Sequence, residues 1–160
     1  MLYRRLPRFD FPHRCYFLTC CLEGRRPLLS DPRWAGRLLA LYAQQQDKGR
    51  ITIHAYVLMS DHYHCLLSLQ AQTSISGLVR GVHACFAREY RSVNPTTGRI
   101  WQRRCYDHVI RDEADLLTKA TYIHDNPVRA GLAADVGEYP WSSFGFWETG
   151  RGPVRCQPWR

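Results

Sequence analysis

His62-Tyr63-His64 is the densest piece of potential chemistry in the sequence. It sits in the second half of ITIHAYVLMSDHYHCLLSL, residues 51–69, which reads as two apolar β-runs, Ile51–Leu58 and His62–Leu69, around a Met-Ser-Asp turn. In a strand, residues i and i+2 point to the same face. The two imidazoles therefore stand side by side, placed to grip one divalent ion, while Tyr63 points the other way. A strand holds such a pair ready for a ligand better than a loop does. The same pattern also suits two polar residues on the wet face of a half-buried strand, so the rest of a site has to come from elsewhere.

A second group lies late in the chain. Tyr122 and Asn126 are four residues apart in a segment with helical periodicity, so hydroxyl and amide share one helical face. Packed beside the histidine strand, they complete a set. Two imidazoles and an amide oxygen bind a divalent ion and leave positions for phosphate oxygens and water. A phenol titrates near about 10 and is a weak nucleophile at neutral pH, so it needs a phosphorus made more electrophilic by the ion. Taken singly, Tyr122 reads equally as a core aromatic on a stripe with Leu117 and Ile123, and Asn126 as a helix C-cap.

These groups need a scaffold, and the order of elements supplies one. A basic, proline-containing arm with Arg4, Arg5, Arg8 and Arg14 precedes an apolar strand over 15–22. A helix follows, capped by Ser30 or Asp31 with Pro32 at its first position, and ends near Gly49. After the hairpin, Thr73 or Ser74 caps a second helix with an apolar stripe at Ile75, Leu78, Val79, Val82 and Phe86. Its other face carries Arg80, His83, Arg88 and Arg91. A strand over 105–110 and a third helix from about Asp112 to His124 or Asp125 complete the series, with Asn126-Pro127 as its stop. Strand, helix, strand, strand, helix, strand is the β-α-β-β-α-β order of a ferredoxin-like α+β sheet, with the tyrosine helix added at its C-terminal end. Helices are expected on one face of this sheet, leaving the other partly open. Residues 1–145 form one expected domain, followed by an irregular tail over 146–160.

Composition narrows the partners. The 160 residues, 45% hydrophobic and 12% aromatic, suit one globular domain, and no apolar run approaches a membrane span. The N-terminal residues lack the long apolar region of a secretory signal, so a cytoplasmic protein is expected. Lys plus Arg number 22 against 14 Asp plus Glu, a net charge of +8, and nearly all the basic residues are arginine. Arginine suits bidentate phosphate contact and base stacking, which points to nucleic acid. The seven cysteines are odd in number and include no C-x-x-C pair, so they read as packing residues rather than disulfides or a zinc site.

The strings AYVLMSDHYHCLL and YIHDNPVRAGL together resemble the single-tyrosine HUH transposases, in their REP-associated tyrosine transposase branch. The His-bulky-His motif matches His62, Tyr63 and His64, and the tyrosine-helix signature matches Tyr122 through Leu132. The arm and first strand ending in RRPLL, and IWQRRCYDHVIRD over 100–112, extend the likeness to about residues 1–145. Departures are Ser60 where the turn commonly has proline, Tyr63 in place of an aliphatic residue, and His124-Asp125 in the tyrosine helix.

The resemblance implies metal-dependent nicking and strand transfer of single-stranded DNA at short hairpins, through a 5′-phosphotyrosine on Tyr122. It implies Mg²⁺ or Mn²⁺ held by His62, His64 and Asn126, in a monomer acting in cis or a homodimer exchanging tyrosine helices. Arg4, Arg5, Arg8, Arg103 and Arg104 are the expected DNA contacts, with Trp101 stacking on unpaired bases. Asp61 reads as a turn residue or a support for His62. His54, His83 and His108 read as hydrogen-bonded structural histidines, and His124 as solvent-facing. Two other readings stand beside the leading one. The first is a degenerate DNA- or RNA-hairpin-binding protein. The second is a hydrolytic metalloenzyme acting on a small phosphoester, which leaves the arginine excess unexplained.

Overall fold

Each expected strand forms: the first three because apolar residues line both faces, and the short, more polar fourth by pairing along the first. The computed structural model describes residues 14–70 and 72–158. Arg4, Arg5 and Arg8 lie outside the described residues. Strands β1 (Cys15–Cys21), β2 (Ile51–Leu58), β3 (His62–Leu69) and β4 (Tyr106–Val109) form one sheet in the order β2-β3-β1-β4. All three pairings are antiparallel. This is the α+β, ferredoxin-like arrangement that the element order implies.

Helices α1 (Pro32–Asp47) and α2 (Ile75–Val93) cover one face of the sheet. Asp31 caps α1 by accepting from the Arg33 N–H, and Ser74 caps α2 by accepting from the Gly77 N–H. Trp34, Leu38, Leu41 and Tyr42 of α1, with Ile75, Leu78, Val82 and Phe86 of α2, are buried against Tyr16, Leu18 and Cys20 of β1 and against Tyr63, Cys65 and Leu67 of β3. Odd-numbered residues of β1 and even-numbered residues of β3 face the other way. There Cys15, Phe17, Ala55, Val57 and Leu66 form a smaller cluster with Ile123 of α3 (Glu113–Arg129).

A bulge in β2 between Ile53 and Ala55 shifts the register, so Ile51 and Ile53 face α1 and α2 while Ala55 and Val57 face α3. The residue at the bulge, His54, is buried. Its Nδ1–H donates to the Gln157 carbonyl at 2.6 Å, and Nε2 accepts from the Ser68 hydroxyl at 2.8 Å.

Three expectations are corrected. First, α3 does not stop at Asn126-Pro127 but continues to Arg129 with Pro127 inside it. The Pro127 ring is buried, and the helix closes at Gly131 (φ 71°), where the Gly131 N–H donates to Val128 O and the Leu132 N–H to Pro127 O. Second, the segment beyond 145 is not irregular throughout. Helix α4 (Phe144–Thr149) spans that boundary, Val154 and Cys156 are buried, and the Gln157 N–H donates to Ile53 O at 2.9 Å. Third, not every cysteine is a free packing residue: Cys20 and Cys105 are joined as a disulfide, while Cys15, Cys21, Cys65, Cys85 and Cys156 are free. No described helix is long and apolar enough to cross a membrane.

Two outcomes are expected from this packing. Ile123→Ala opens a cavity between α3 and the sheet and lowers the unfolding free energy by about 2–5 kcal/mol in urea titration, with Ile123→Val costing much less. Burial holds the His54 imidazole below the ordinary 6.5, against the pull of its Gln157 hydrogen bond. Below pH 6.5 the unfolded chain takes up a proton that the folded one refuses, so His54's contribution is complete above that pH and is lost as pH falls through it. Denaturant midpoints measured against pH should therefore flatten below neutrality in His54→Asn.

Candidate metal and tyrosine site

The register of β1 on β3 builds the imidazole pair. Thr19 lies directly opposite His64, and Cys21 opposite His62. The Thr19 hydroxyl is 2.7 Å from His64 Nδ1. If that nitrogen carries the proton and donates to Thr19, Nε2 keeps its lone pair. That Nε2 is buried and has no hydrogen-bond partner among the described residues. Phe17 stacks on the His64 ring at 5.4 Å and 16°, fixing its plane. Burial first, then the neighbouring His62 and Arg25, push the His64 imidazole down to about 3, against a backbone hydrogen bond that favours its protonated form at Leu18, so it stays neutral.

His62 is held differently. Its Nδ1 is 2.6 Å from Asp61 Oδ1, and a carboxylate only accepts, so Nδ1 donates and Nε2 is left as the basic nitrogen. Burial works to raise the Asp61 carboxyl, but its hydrogen bond to His62 and the charges of His62 and Arg25 hold it below the usual range. The two imidazole centroids are 4.9 Å apart at 80°. Two oriented rings, one with a buried and unpaired nitrogen, suit a divalent cation; each ring is positioned by a hydrogen bond to its other nitrogen. Tyr63 points to the opposite face, fully buried, with its hydroxyl 2.6 Å from that of Tyr42.

Helix α3 brings the phenol to this pair. Asp112 caps it by accepting from the Asp115 N–H. Its buried stripe runs Leu116, Ala120, Ile123, Pro127, not through Leu117, which is 58% exposed. Tyr122 sits on the flank of that stripe, 38% exposed, with its ring 5.2 Å from His64 and 5.9 Å from Phe17. It is not the core aromatic that its neighbours in sequence permit. Asn126 is one turn on, inside the helix, so it does not serve as a C-cap.

The family model described as "Transposase IS200 like" matches residues 13–126. The chain belongs to the IS200-like transposase family. Members of this family are DNA-processing enzymes. The REP-associated tyrosine transposase of Escherichia coli K12 is 28% identical over 130 residues, covering 81% of this chain and 75% of that one. A Haemophilus influenzae protein provisionally named REP-associated tyrosine transposase is 30% identical over 140 residues, 81% of this chain and 78% of its own. The solved structure of a REP-associated tyrosine transposase bound to a REP hairpin superposes with a TM-score of 0.76 at 24% identity, covering 98% of this chain and 93% of that one. It shares the fold described above.

The surroundings of this IS200-like site hold cations that sequence reasoning did not single out. Lys119 Nζ lies 5.0 Å from the centre of the Phe17 ring, and Arg129 Cζ lies 5.7 Å from that of Tyr122. Their spacing of three before and seven after Tyr122 was the available signal, since both positions share its helical face. Arg25 adopts a left-handed backbone conformation (φ 53°) after Gly24 (φ 61°), and its guanidinium is 3.5 Å from both Asp61 and His62 Nδ1. A non-glycine residue held there costs about 1–3 kcal/mol and tends to mark a site. Nothing in the strand pattern pointed to Thr19, whose partner is 45 residues away.

Some assignments change. Trp101 does not offer its ring to a base: it is 7% exposed, stacked on His83 at 4.0 Å and packed on Phe86. A ring needs a free face to stack on a base, and Trp101 is buried with His83 already stacked on it. His124 is not solvent-facing, since Nε2 is 2.9 Å from Ser143 Oγ and the ring packs on Phe144. His108 pairs with Asp115 at 2.7 Å, a structural role like that of His54. Arg103 and Arg104 are exposed in the segment before β4.

Thr19→Val keeps a β-branched residue in β1 and removes only the hydroxyl that orients His64. Mn²⁺ affinity measured by calorimetry should fall by about 10–100-fold. An unchanged affinity would remove Thr19 from the site.

Proposed function

We propose that this IS200-like transposase nicks single-stranded DNA beside a short hairpin and transfers the strand through a 5′-phosphotyrosine on Tyr122. His62, His64 and Asn126 would hold Mg²⁺ or Mn²⁺. The carrying observation is that the Tyr122 ring lies 5.2 Å from His64, whose buried Nε2 has no other partner among the described residues. Tyrosine and imidazoles meet within one chain, which favours a monomer acting in cis over exchange of tyrosine helices in a homodimer.

The chemistry divides simply. A divalent ion would supply Lewis-acid polarisation of the scissile phosphate. His64 and His62 present nitrogens, with the His64 ring oriented by Thr19 and the His62 tautomer set by Asp61. Tyr122 Oη forms the new P–O bond, its proton passes to solvent, and the bond from phosphorus to the 3′-oxygen breaks. That oxygen leaves as a 3′-hydroxyl after taking up a proton. A second 3′-hydroxyl can reverse the step without an external energy source, because the phosphodiester is kept as a phosphotyrosine. Lys119 and Arg129 stand where they can receive the phosphate charge.

DNA in the cytoplasm is the proposed substrate. The relative solved with a REP hairpin, together with the +8 charge, supports a hairpin as the recognised form. Exposed Arg103 and Arg104, with Arg4, Arg5 and Arg8 of the arm, would contact backbone phosphates and set affinity more than sequence choice.

Incubation with a labelled hairpin carrying a single-stranded flank and Mn²⁺ should give a denaturation-resistant complex with the label on Tyr122. Tyr122→Phe should abolish that complex and leave hairpin binding intact. Binding without any adduct, under Mg²⁺ or Mn²⁺, would leave a hairpin-binding protein instead. Arg104→Ala should weaken binding across unrelated hairpins alike and reduce the salt slope of affinity by about 1.

A further inference from the structure

We infer that Cys20, His83 and Cys105 form a second cation site, for a thiophilic divalent ion of the zinc class, on the face of the sheet opposite His62 and His64. This inference does not rest on the proposed strand transfer.

The three residues come from three elements: β1, α2 and the segment leading into β4. One ligand atom from each lies within 4.8 Å of the other two. The ladder explains the meeting. Thr19 pairs with Tyr106 across β1 and β4, so the next pair along that ladder is Cys20 and Cys105, with Cα atoms 4.6 Å apart. On its other side Cys20 faces Tyr63 of β3. The loop is held to β1 beyond this point by the Leu22–Trp101 bridge and by the Gln102 N–H donating to Cys21 O.

His83 turns a pair of sulfurs into a candidate ligand set. The helical pattern puts it on the polar side of α2, yet its ring points inward and stacks on Trp101 at 4.0 Å and 4°. Its Nε2 is 2.9 Å from the Tyr63 hydroxyl, which is itself bonded to Tyr42. With Nε2 engaged there, Nδ1 is the nitrogen left for a cation. A ligand histidine whose other nitrogen is tied to a fixed partner is the usual arrangement around a metal. A disulfide alone needs no imidazole beside it. Two thiolates and an imidazole select zinc-class ions over magnesium or manganese, whereas the His62–His64 pair has one nearby cysteine among the described residues, Cys21 opposite His62. Cys105 is partly exposed, so water can complete a tetrahedron.

The site requires the reduced pair. Five other cysteines in the described chain are free thiols, the state expected where a dithiol reductant operates. Reduction of the Cys20–Cys105 bond takes two electrons and two protons from that reductant. Cation binding then releases the thiol protons to solvent. A bound ion would hold the 100–105 segment against β1 directly behind Tyr63, and so behind the strand that carries His62 and His64.

The test uses the full chain, reduced and kept free of oxygen. Titration with Co²⁺ should give thiolate-to-cobalt charge-transfer absorption, removable by Zn²⁺. The band should persist in His62→Ala and in Cys85→Ser, and disappear in Cys105→Ser and His83→Gln. Because a variant can fail through misfolding, the unmodified protein supplies a second readout. Zn²⁺ should block alkylation of Cys105 while Cys85 continues to react, resolved by peptide mass. Absence of a thiolate band in the reduced protein, a band unchanged in Cys105→Ser, or alkylation of Cys105 indifferent to Zn²⁺ would each overturn the assignment.

Discussion

The antiparallel register of β1 on β3 is the constraint on which the site depends. It sets Thr19 against His64 and Cys20 against Tyr63, so each side of the sheet receives its own polar group from each strand. Side chains alternate with a period of two, and a slip of one residue would send His62 and His64 into the helical layer and Tyr63 out of it. That slip is opposed from both faces. Leu18, Cys20, Tyr63 and Leu67 are buried under α1 and α2, while Phe17 and Leu66 are buried under α3. The imidazole pair is thus positioned by core packing around it, with the hydrogen bonds to Thr19 and Asp61 setting only ring orientation and, at His62, the tautomer.

The same argument explains what was readable in the sequence. Helix caps are local, so the sequence narrows them to Ser30 or Asp31 and to Thr73 or Ser74; the chain uses Asp31 and Ser74, and Asp112 caps the third helix at its expected start. The His-x-His pair was visible because strand alternation is local too. The tyrosine helix was legible in place but not in phase: Leu117 and Leu116 are adjacent leucines, and only tertiary packing chooses Leu116 for the core and thereby puts Tyr122 on the flank. Its end was misread because proline usually breaks helices, whereas here the Pro127 ring is buried and Gly131 closes the helix a turn later. The bulge at His54 was hidden because β2 is apolar on both faces, so the face change leaves no trace in the pattern.

Trp101 marks a different limit. A tryptophan followed by glutamine and two arginines looks like a nucleic-acid contact, and the arginines do remain exposed. The indole instead fills the space between α2 and the sheet, where it meets His83, Phe86 and Tyr63. Aromatic rings that suit base stacking suit core packing equally, and a sequence cannot say which face of a loop turns inward. Charge is more legible than ring orientation, because burying an unpaired guanidinium costs too much to be common.

In the proposed site the two imidazoles would divide the work of holding a cation. A buried polar nitrogen left without a partner costs about 1–3 kcal/mol. His64 accepts that cost, and the same burial that imposes it pushes the ring down to about 3, so protons do not compete for the nitrogen near neutral pH. His62 is less buried and has a carboxylate on its Nδ1, which fixes the ring and draws positive charge toward the site. One ring therefore offers a dry nitrogen that is neutral near neutral pH, beside Tyr122, and the other a nitrogen nearer the rim. On that reading a phosphate approaching from solvent would meet the rim first, where Arg25 lies by His62, Lys119 by Phe17 and Arg129 by Tyr122, with the buried nitrogen beneath. Under the proposed chemistry that ordering would give the site a direction, anion from outside and cation from below, with the phenol beside His64 on a helix whose phase is fixed by Ile123 and Pro127.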